Sequence, residues 1–432
     1  MTARSLPLLL LLLTCLPAAA AAQETAAVIA IPPLTTPDEK KTGAGSPAAV
    51  AWQASQLIAS DLRSTAELVP IGPNQKDYYS YPEVTAPTFS RWRTLGAKFV
   101  LTGFVRSRPD GRMTVGCYVY DAVKGTELGR TGFVVAADEW RRAAHKCSGL
   151  AYTAATGAPG MFDTRIAYVA ESGPANARVK RIAVMDGDGT NQSFVTAGDT
   201  LVLTPRLSPK AESVAYVSFG GGQPHVRIAD LGSGEQRPLV PNGTMSFAPR
   251  FSPDGRRIVF SMQAGANTDV YVAQSDGGAV QRLTASPGID TSPAFAPDGN
   301  RIVFESDRSG TQQLYVMNAD GTNQRRISFG GGWYAAPEWS PDGEWIAFAR
   351  RIPGGGSRIG IMKPDGSGDK LLTAGPSDEG PSWAASSREL VFQRAGPDGR
   401  NALYRVTLSG GEPRKTVTAQ DASDPDWSGV LD

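Results

Sequence analysis

Histidine and cysteine are scarce in this sequence. There are two of the first (His145 and His225) and three of the second (Cys15, Cys117 and Cys147) in 432 residues. Those numbers exclude histidine-rich metal sites and thiolate clusters, which need several ligands together. A surplus of one charge is also lacking: 43 Lys plus Arg face 42 Asp plus Glu, leaving +1. Such a balance does not suit a protein that coats nucleic acid or anionic lipid. Beyond the first 22 residues no apolar run approaches the ~18 residues of a membrane span. Gly-x-Ser-x-Gly, His-Glu-x-x-His and phosphate-loop motifs are all missing, so the common hydrolase and nucleotide chemistries have no foothold. What abounds is Gly (48) and Pro (32), and alongside 41 % hydrophobic residues this points to many turns rather than disorder.

The first 22 residues read as an address. Arg4 precedes the apolar run Leu8–Leu13, and Ala20-Ala21-Ala22 supplies small residues before Gln23-Glu24. This is the pattern of a secretory signal peptide cleaved between Ala22 and Gln23. Lipidation at Cys15 does not fit its flanks, Leu13-Thr14 and Leu16-Pro17. The mature chain is expected to be exported, with no cofactor and no metal. Cys117 lies on the Met113/Val115/Val119 face of a strand-like alternation, and Cys147 shares a helical stripe with Ala143, Ala144 and Ala151. Both face one core, and an oxidising compartment leaves a disulfide and two buried thiols equally open.

The second half repeats. Prolines recur at Pro205, Pro249, Pro293, Pro337, Pro381 and Pro425, each step being 44 residues. Two positions after each stands a large apolar residue: Leu207, Phe251, Phe295, Trp339, Trp383, Trp427. Turns such as Ser252-Pro253-Asp254-Gly255 follow, then a strand with an aromatic at Tyr216, Phe260, Phe304, Phe348 or Phe392. Arg165–Val169 matches that strand 48 residues earlier, through Tyr168. In one unit, four short strands are expected near 249–251, 257–261, 269–273 and 280–284. Four strands per 40–45 residues is the spacing of a propeller blade.

The blade count follows from parity. The aromatic second strand occurs six times starting at Tyr168, and the Pro-x-apolar first strand six times ending at Pro425. The unpaired first member of one series must meet the unpaired last member of the other. The strand at Asp424-Pro425-Asp426-Trp427 therefore completes the blade opened by Ile166–Val169, closing a six-bladed ring without a free edge. Asp186-Gly187-Asp188-Gly189 resembles a calcium loop but lacks the terminal Glu, and it reads as a hairpin turn. Gly220-Gly221-Gly222 and Gly330-Gly331-Gly332 lack a following helix and Lys.

Residues 23–158 follow another pattern. Ala27–Ile31 is a short strand, Ser46-Pro47 opens a helix carrying Trp52, Leu57, Ile58 and Leu62, three strands run over 99–105, 113–120 and 127–135, and a helix closes at 137–153. The expected fold is thus an α/β N-terminal domain (23–158) followed by an all-β six-bladed β-propeller (162–432). A propeller-coupled hydrolase would need an α/β-hydrolase region beyond the ring, and His145 and His225 read as structural, so an enzyme is not expected.

Trp140-Arg141-Arg142-Ala143-Ala144-His145, then Thr156-Gly157 and Phe162-Asp163-Thr164-Arg165-Ile166-Ala167-Tyr168-Val169, resembles the domain junction of the TolB family of the Tol–Pal envelope system. The Ser-Pro-Asp-Gly repeats and domain order agree over nearly all of the mature chain. The resemblance implies a non-catalytic periplasmic adaptor. Its partners would be the peptidoglycan-associated lipoprotein Pal, the inner-membrane protein TolA and colicins that exploit the system. It would touch membranes only through partners and would serve outer-membrane integrity and cell division. Pal would dock over the propeller mouth, on Met245, Ser246, Phe247 and Ala248, on Asp290, Thr291 and Ser292, and on Tyr334, Ala335 and Ala336. Trp333, Tyr334 and Phe247 are expected as exposed anchors. Asp199, Asp290, Asp378, Glu379 and Asp421 would be loop charges that either steer a basic partner or are merely solvated. TolA would meet the N-terminal tail Gln23, Glu24, Thr25 and Ala26. That tail is short for the family, so either the TolA contact is weaker here or it uses the small domain itself, and the second is expected. The other functional class is an exported propeller holding a glycan or calcium in its channel.

Overall fold

The computed structural model describes residues 26–37, 46–65, 67–74, 76–77, 79–174, 176–240 and 244–431. The expected cleavage site at Ala22 and Gln23, and with it Glu24 and Thr25, lies outside them. The chain first builds a mixed sheet from β1 (Ala27–Ala30), β2 (Leu68–Ile71), β3 (Phe99–Ser107), β4 (Met113–Asp121) and β5 (Thr126–Val135), in the order β2-β1-β3-β4-β5. β1 lies parallel to both β2 and β3, while β3, β4 and β5 run antiparallel. Helices α1 (Pro47–Ser64) and α3 (Trp140–Thr156) cover one face, and the short α2 (Phe89–Arg93) lies over the other with Trp92 against Ala30 and Val100. Local sequence sets the ends of α1. Ser46 Oγ accepts from the Ala49 N–H at 3.2 Å, and Pro47 occupies the first turn, where its missing N–H costs nothing.

The core of this domain joins Ile29, Ile31, Val50, Ala54, Ile58 and Leu62 to Leu101, Val115, Val119, Ala144 and Ala151. Cys117 of β4 and Cys147 of α3 sit in that core and are bonded, with Cα atoms 5.9 Å apart. Past α3 the chain turns at Gly157, which takes the left-handed conformation of a helix C-cap (φ 74°). Gly160 then passes so close to Gly149 that a Cβ at 160 would lie 2.4 Å from the Gly149 Cα.

Six four-stranded antiparallel sheets follow among the described residues. Numbering them as blades, the innermost strands are Asp421–Trp427 (blade one), Val202–Leu207 (two), Ser246–Phe251 (three), Asp290–Phe295 (four), Trp333–Trp339 (five) and Asp378–Trp383 (six). Blade one joins the two ends of the ring: Asp421–Trp427 pairs with Arg165–Ser172 in the register Asp421↔Glu171 and Trp427↔Ile166. The strand counted last in sequence thus closes on the strand counted first. The repeating aromatics Tyr168, Phe260, Phe304, Phe348 and Phe392 are all 0 % exposed and pack between neighbouring blades. Each such ring contributes roughly 1.5–3 kcal/mol of burial, which explains the tight register. In blade three the strands are Ser246–Phe251, Arg257–Ala264, Asn267–Gln274 and Val280–Arg282, the first three longer than the expected 249–251, 257–261 and 269–273.

Candidate protein-binding mouth of the propeller

Every innermost strand carries the same kink. The residue before the repeating proline adopts positive φ: Thr204 (46°), Ala248 (50°), Ser292 (50°), Ala336 (50°), Gly380 (59°) and Asp424 (50°). Five of the six are not glycine, and for an L-residue this conformation costs about 1–2 kcal/mol. Each kink coincides with a break in ladder register, as between Phe247 and Arg250 or between Thr291 and Ala294. The extra residue of a bulge re-aims its neighbours, and all six residues line one cavity of about 460 Å³ at the mouth.

Three of the kinked amides are caught by polar side chains of the neighbouring blade. The Ser292 N–H of blade four donates to Ser261 Oγ of blade three at 3.1 Å. The Ala336 N–H of blade five donates to Glu305 Oε1 of blade four at 2.5 Å, and the Asp424 N–H of blade one to Gln393 Oε1 of blade six at 2.7 Å. Ser261, Glu305 and Gln393 occupy one column of the repeat, directly after the buried aromatic, in steps of 44 and 88 residues. Glu305 is nearly fully buried and also accepts from the Gln312 amide. Burial pushes its carboxyl pKa up, against the bonds from Ala336 N–H, Ser292 and Gln312. Sequence reasoning missed this column, although its polar side chains in a strand flanked by buried apolar residues were the available signal.

Two residues further along each strand lies a second ring of side chains: Arg206, Arg250, Ala294, Glu338, Ser382 and Asp426. Arg250 spans the channel, with 2.8 Å contacts to both Asp426 and Glu338. Ser382 Oγ donates to Glu338 Oε1 at 3.0 Å, and Arg206 stands 3.8 Å from Asp426. Burial, with Arg250 adjacent, lowers the Arg206 pKa to about 10, and burial raises that of Asp426. The polar network ties five blades together beneath the mouth.

Of the residues expected at the mouth, Ala248, Ser292, Ala335 and Ala336 line the cavity. Thr291 is half-buried beside it, its hydroxyl 3.0 Å from Ser261 Oγ. Met245 and Phe247 are partly exposed, and Ser246 is buried, its hydroxyl accepting from the Val226 N–H at 3.0 Å. Two expectations need correcting. Tyr334 is not an exposed anchor: it is 0 % exposed, packs on Phe348 at 5.0 Å and bonds to Asp369. Trp333 beside it is 42 % exposed, and Phe329, which the sequence reading did not single out, is 72 % exposed. Asp290 and Asp378 are not loop charges either, being 0 % exposed and locked to Arg308 (2.7 Å) and Arg394 (2.6 Å). The reason is the same in each case. The innermost strands begin three or four residues before the repeating proline, so position 290, 334 or 378 already belongs to a strand and is covered. Ala26 directly precedes β1 in the N-terminal domain.

A family model described as the TolB beta propeller domain matches residues 152–431, and one described as the TolB amino-terminal domain matches residues 20–128. The chain belongs to the TolB family. It is 57 % identical over 397 residues to "Tol-Pal system protein TolB" of Zymomonas mobilis subsp. mobilis, covering 92 % of this chain and 86 % of that one. The protein of that name from Rhizorhabdus wittichii is 48 % identical over 184 residues, 43 % of this chain and 42 % of that protein. Among solved structures, TolB from Acinetobacter baumannii superposes with a TM-score of 0.78 at 27 % identity, covering 94 % of this chain and 97 % of that one. Membership of the TolB family makes this a non-catalytic Tol–Pal component. No helix among the described residues is long and apolar enough to cross a membrane.

Proposed function

We propose that this protein is the periplasmic adaptor of a Tol–Pal system, binding the lipoprotein Pal through the propeller mouth and TolA through its N-terminal region. In that role it would help keep the outer membrane attached during division. The observation that carries the Pal site is the ring of kinked residues at the mouth. Strain held in place by six repeats is characteristic of a surface kept in shape for a ligand rather than for stability alone. Phe247 and the exposed Trp333 and Phe329 supply the aromatic anchors such a surface needs. Small residues at Ala248, Ala335 and Ala336 leave room for a partner's side chains to enter. The TolA contact rests on the family alone, with the tail Gln23–Ala26 and the small domain behind it as its proposed site. Family membership also supports the periplasmic location.

The test is a pulldown of solubilised envelope with residues 23–432, alongside Ala248→Arg and Thr291→Arg. Recovery of a peptidoglycan-associated lipoprotein by the wild type, with at least tenfold loss in the folded variants, is expected. If the wild type recovers no envelope protein, the adaptor reading falls and a ligand of the channel becomes the alternative. Equal recovery by both variants would move the Pal site away from the mouth.

A further inference from the structure

His145 is buried where three parts of the chain meet. Its Nδ1 lies 2.8 Å from Asp61 Oδ2 on α1, and its Nε2 lies 3.7 Å from Asp188 Oδ2 in the turn between the last two strands of blade one. The side chain is 2 % exposed, and Nε2 has no hydrogen-bond partner among the described residues. Asp61 is further fixed by the Ser148 hydroxyl, which donates to the same oxygen at 2.6 Å. The surrounding charges come from four elements. On α3, Arg141 pairs with Asp188, while Arg142 and Lys146 approach Asp163 at 3.3 and 3.8 Å. In the turn, Asp186 accepts from Asn191 at 2.7 Å, and from blade six Arg405 donates to the Gly187 carbonyl. His145, Asp186 and Asp188 bring ligand atoms within 4.8 Å of one another. A metal ion is nevertheless opposed, because the Arg141 guanidinium already holds the Asp188 oxygen that faces Nε2.

We propose that the doubly protonated His145 ring is an ionic clasp between the N-terminal domain and the propeller, closed while Nε2 carries its proton and loosened when that proton leaves. The chemistry follows from the two carboxylates. Asp61 holds the Nδ1 proton, so the proton that departs is the one on Nε2. Before that, Nε2–H⁺ faces Asp188 across 3.7 Å with a favourable charge interaction little screened by water. Afterwards a bare lone pair faces the same carboxylate, and Nε2 has no donor to satisfy it, while Asp188 keeps Arg141. Burial alone would lower the ring's pKa, but Asp61 and then Asp188 outweigh it and raise it above the ordinary histidine value. A raised folded-state pKa means that the clasp is whole below about pH 6.5 and is lost as pH rises through the folded value. Arg141 remains on Asp188 throughout, so opening loosens the joint without parting the domains. Asp61, His145 and Asp188 lie at the end of the propeller opposite the mouth, so the clasp governs how the small domain is held there.

The presence of only two histidines makes the test clean. Ring NMR of residues 23–432 follows His145, assigned by its loss in His145→Gln. Spin labels on Gln56→Cys in α1 and Arg256→Cys in blade three report the distance between the domains. Expected are a His145 midpoint above 6.5 and a distance distribution that broadens with the same midpoint. Asp188→Asn should lower the midpoint by half a unit or more and leave the distribution broad at every pH. His145→Gln should make the distribution independent of pH. A midpoint at or below 6.5, a midpoint unmoved by Asp188→Asn, or a distance that ignores pH while the ring titrates would each overturn the clasp. No partner is present in these measurements, so their failure would leave the Pal reading untouched.

Discussion

Replacing Glu305 by Ala should damage the mouth without removing any residue expected to touch a partner. The carboxylate accepts from the Ala336 N–H at 2.5 Å and from Gln312, inside a site that is 3 % exposed. Ala at 305 leaves those donors facing each other across a new cavity. An unsatisfied buried donor costs about 1–3 kcal/mol. One such loss is unavoidable, and Gln312 can turn towards solvent, so the variant should lose about 1–3 kcal/mol. The Ala336 kink, itself costing about 1–2 kcal/mol, loses the bond that holds it and should relax towards extended backbone. Urea unfolding of wild type and variant gives the stability difference at equal slope, and calorimetry with purified Pal gives the affinity. The expected result is a lower urea midpoint together with at least tenfold weaker Pal binding. Loss of stability with unchanged affinity would refute the claim that the cross-blade bond shapes the binding surface. No loss of either would refute the energetic reasoning altogether.

Other perturbations bear on different parts of the molecule. Breaking the Cys117–Cys147 bond as a double Ala variant removes a closure of sequence separation 30 and should cost about 3–4 kcal/mol of the small domain's stability, read by its melting transition with and without reductant. Because burial raises the Glu305 pKa, the protonated side chain is the better-tolerated one. Stability assigned to it is whole below its unfolded pKa of about 4.3 and lost as pH rises through the folded value. The difference in melting temperature between wild type and Glu305→Gln should therefore change with pH across that range, and a constant difference would show that Glu305 does not titrate there. Arg250→Ala strands Asp426 and Glu338, each 2.8 Å from the lost guanidinium, and should destabilise the ring by about 3–5 kcal/mol.

The architecture of the ring was legible because burial imposes one period. A blade can cover its neighbour only if the aromatic after the Ser-Pro-Asp-Gly turn falls in the same place each time, so selection for packing writes itself as 44-residue columns. Ring closure was legible for the same reason, since unequal starts of two equal series leave one pairing. The small domain offered less. Its individual strands and helices followed from alternation and caps, but the order β2-β1-β3-β4-β5 depends on parallel pairings between segments up to 70 residues apart, and short parallel strands carry no distinguishing pattern. The mouth was read in outline only. A residue before proline is disfavoured in helical conformations, so nothing local announces positive φ at Ala248, Ser292 or Ala336. The kink is imposed by the bulge and, at Ser292 and Ala336, by side chains of the preceding blade. His145 was similarly opaque: its partners Asp61 and Asp188 lie 84 and 43 residues away, on elements whose docking no periodicity encodes.

The joint between the domains makes its own prediction, from two glycines that behave oppositely. Gly149 lies within α3, and a Cβ there would meet only the Gly160 Cα at 3.8 Å, an ordinary contact. Gly in a helix interior costs about 1 kcal/mol relative to Ala, so Gly149→Ala should stabilise the small domain by up to that amount. Gly160 lies in the linker, where a Cβ would stand 2.4 Å from the Gly149 Cα and 2.9 Å from its carbonyl carbon and oxygen. These are backbone atoms of a packed helix and cannot swing aside. Gly160→Ala must therefore push the linker off α3, carrying with it Phe162, whose ring lies 5.9 Å from that of Tyr152, and Asp163, which holds Arg142 at 3.3 Å. Two melting curves decide the matter. Gly149→Ala should raise the transition of the small domain, and Gly160→Ala should lower it and make cleavage between residues 156 and 161 faster. If both substitutions act in the same direction, the close approach of the two backbones is not what fixes the small domain on the propeller, and the contact of Arg388 with Glu67 at 2.8 Å and that of Arg141 with Asp188 must carry the joint instead.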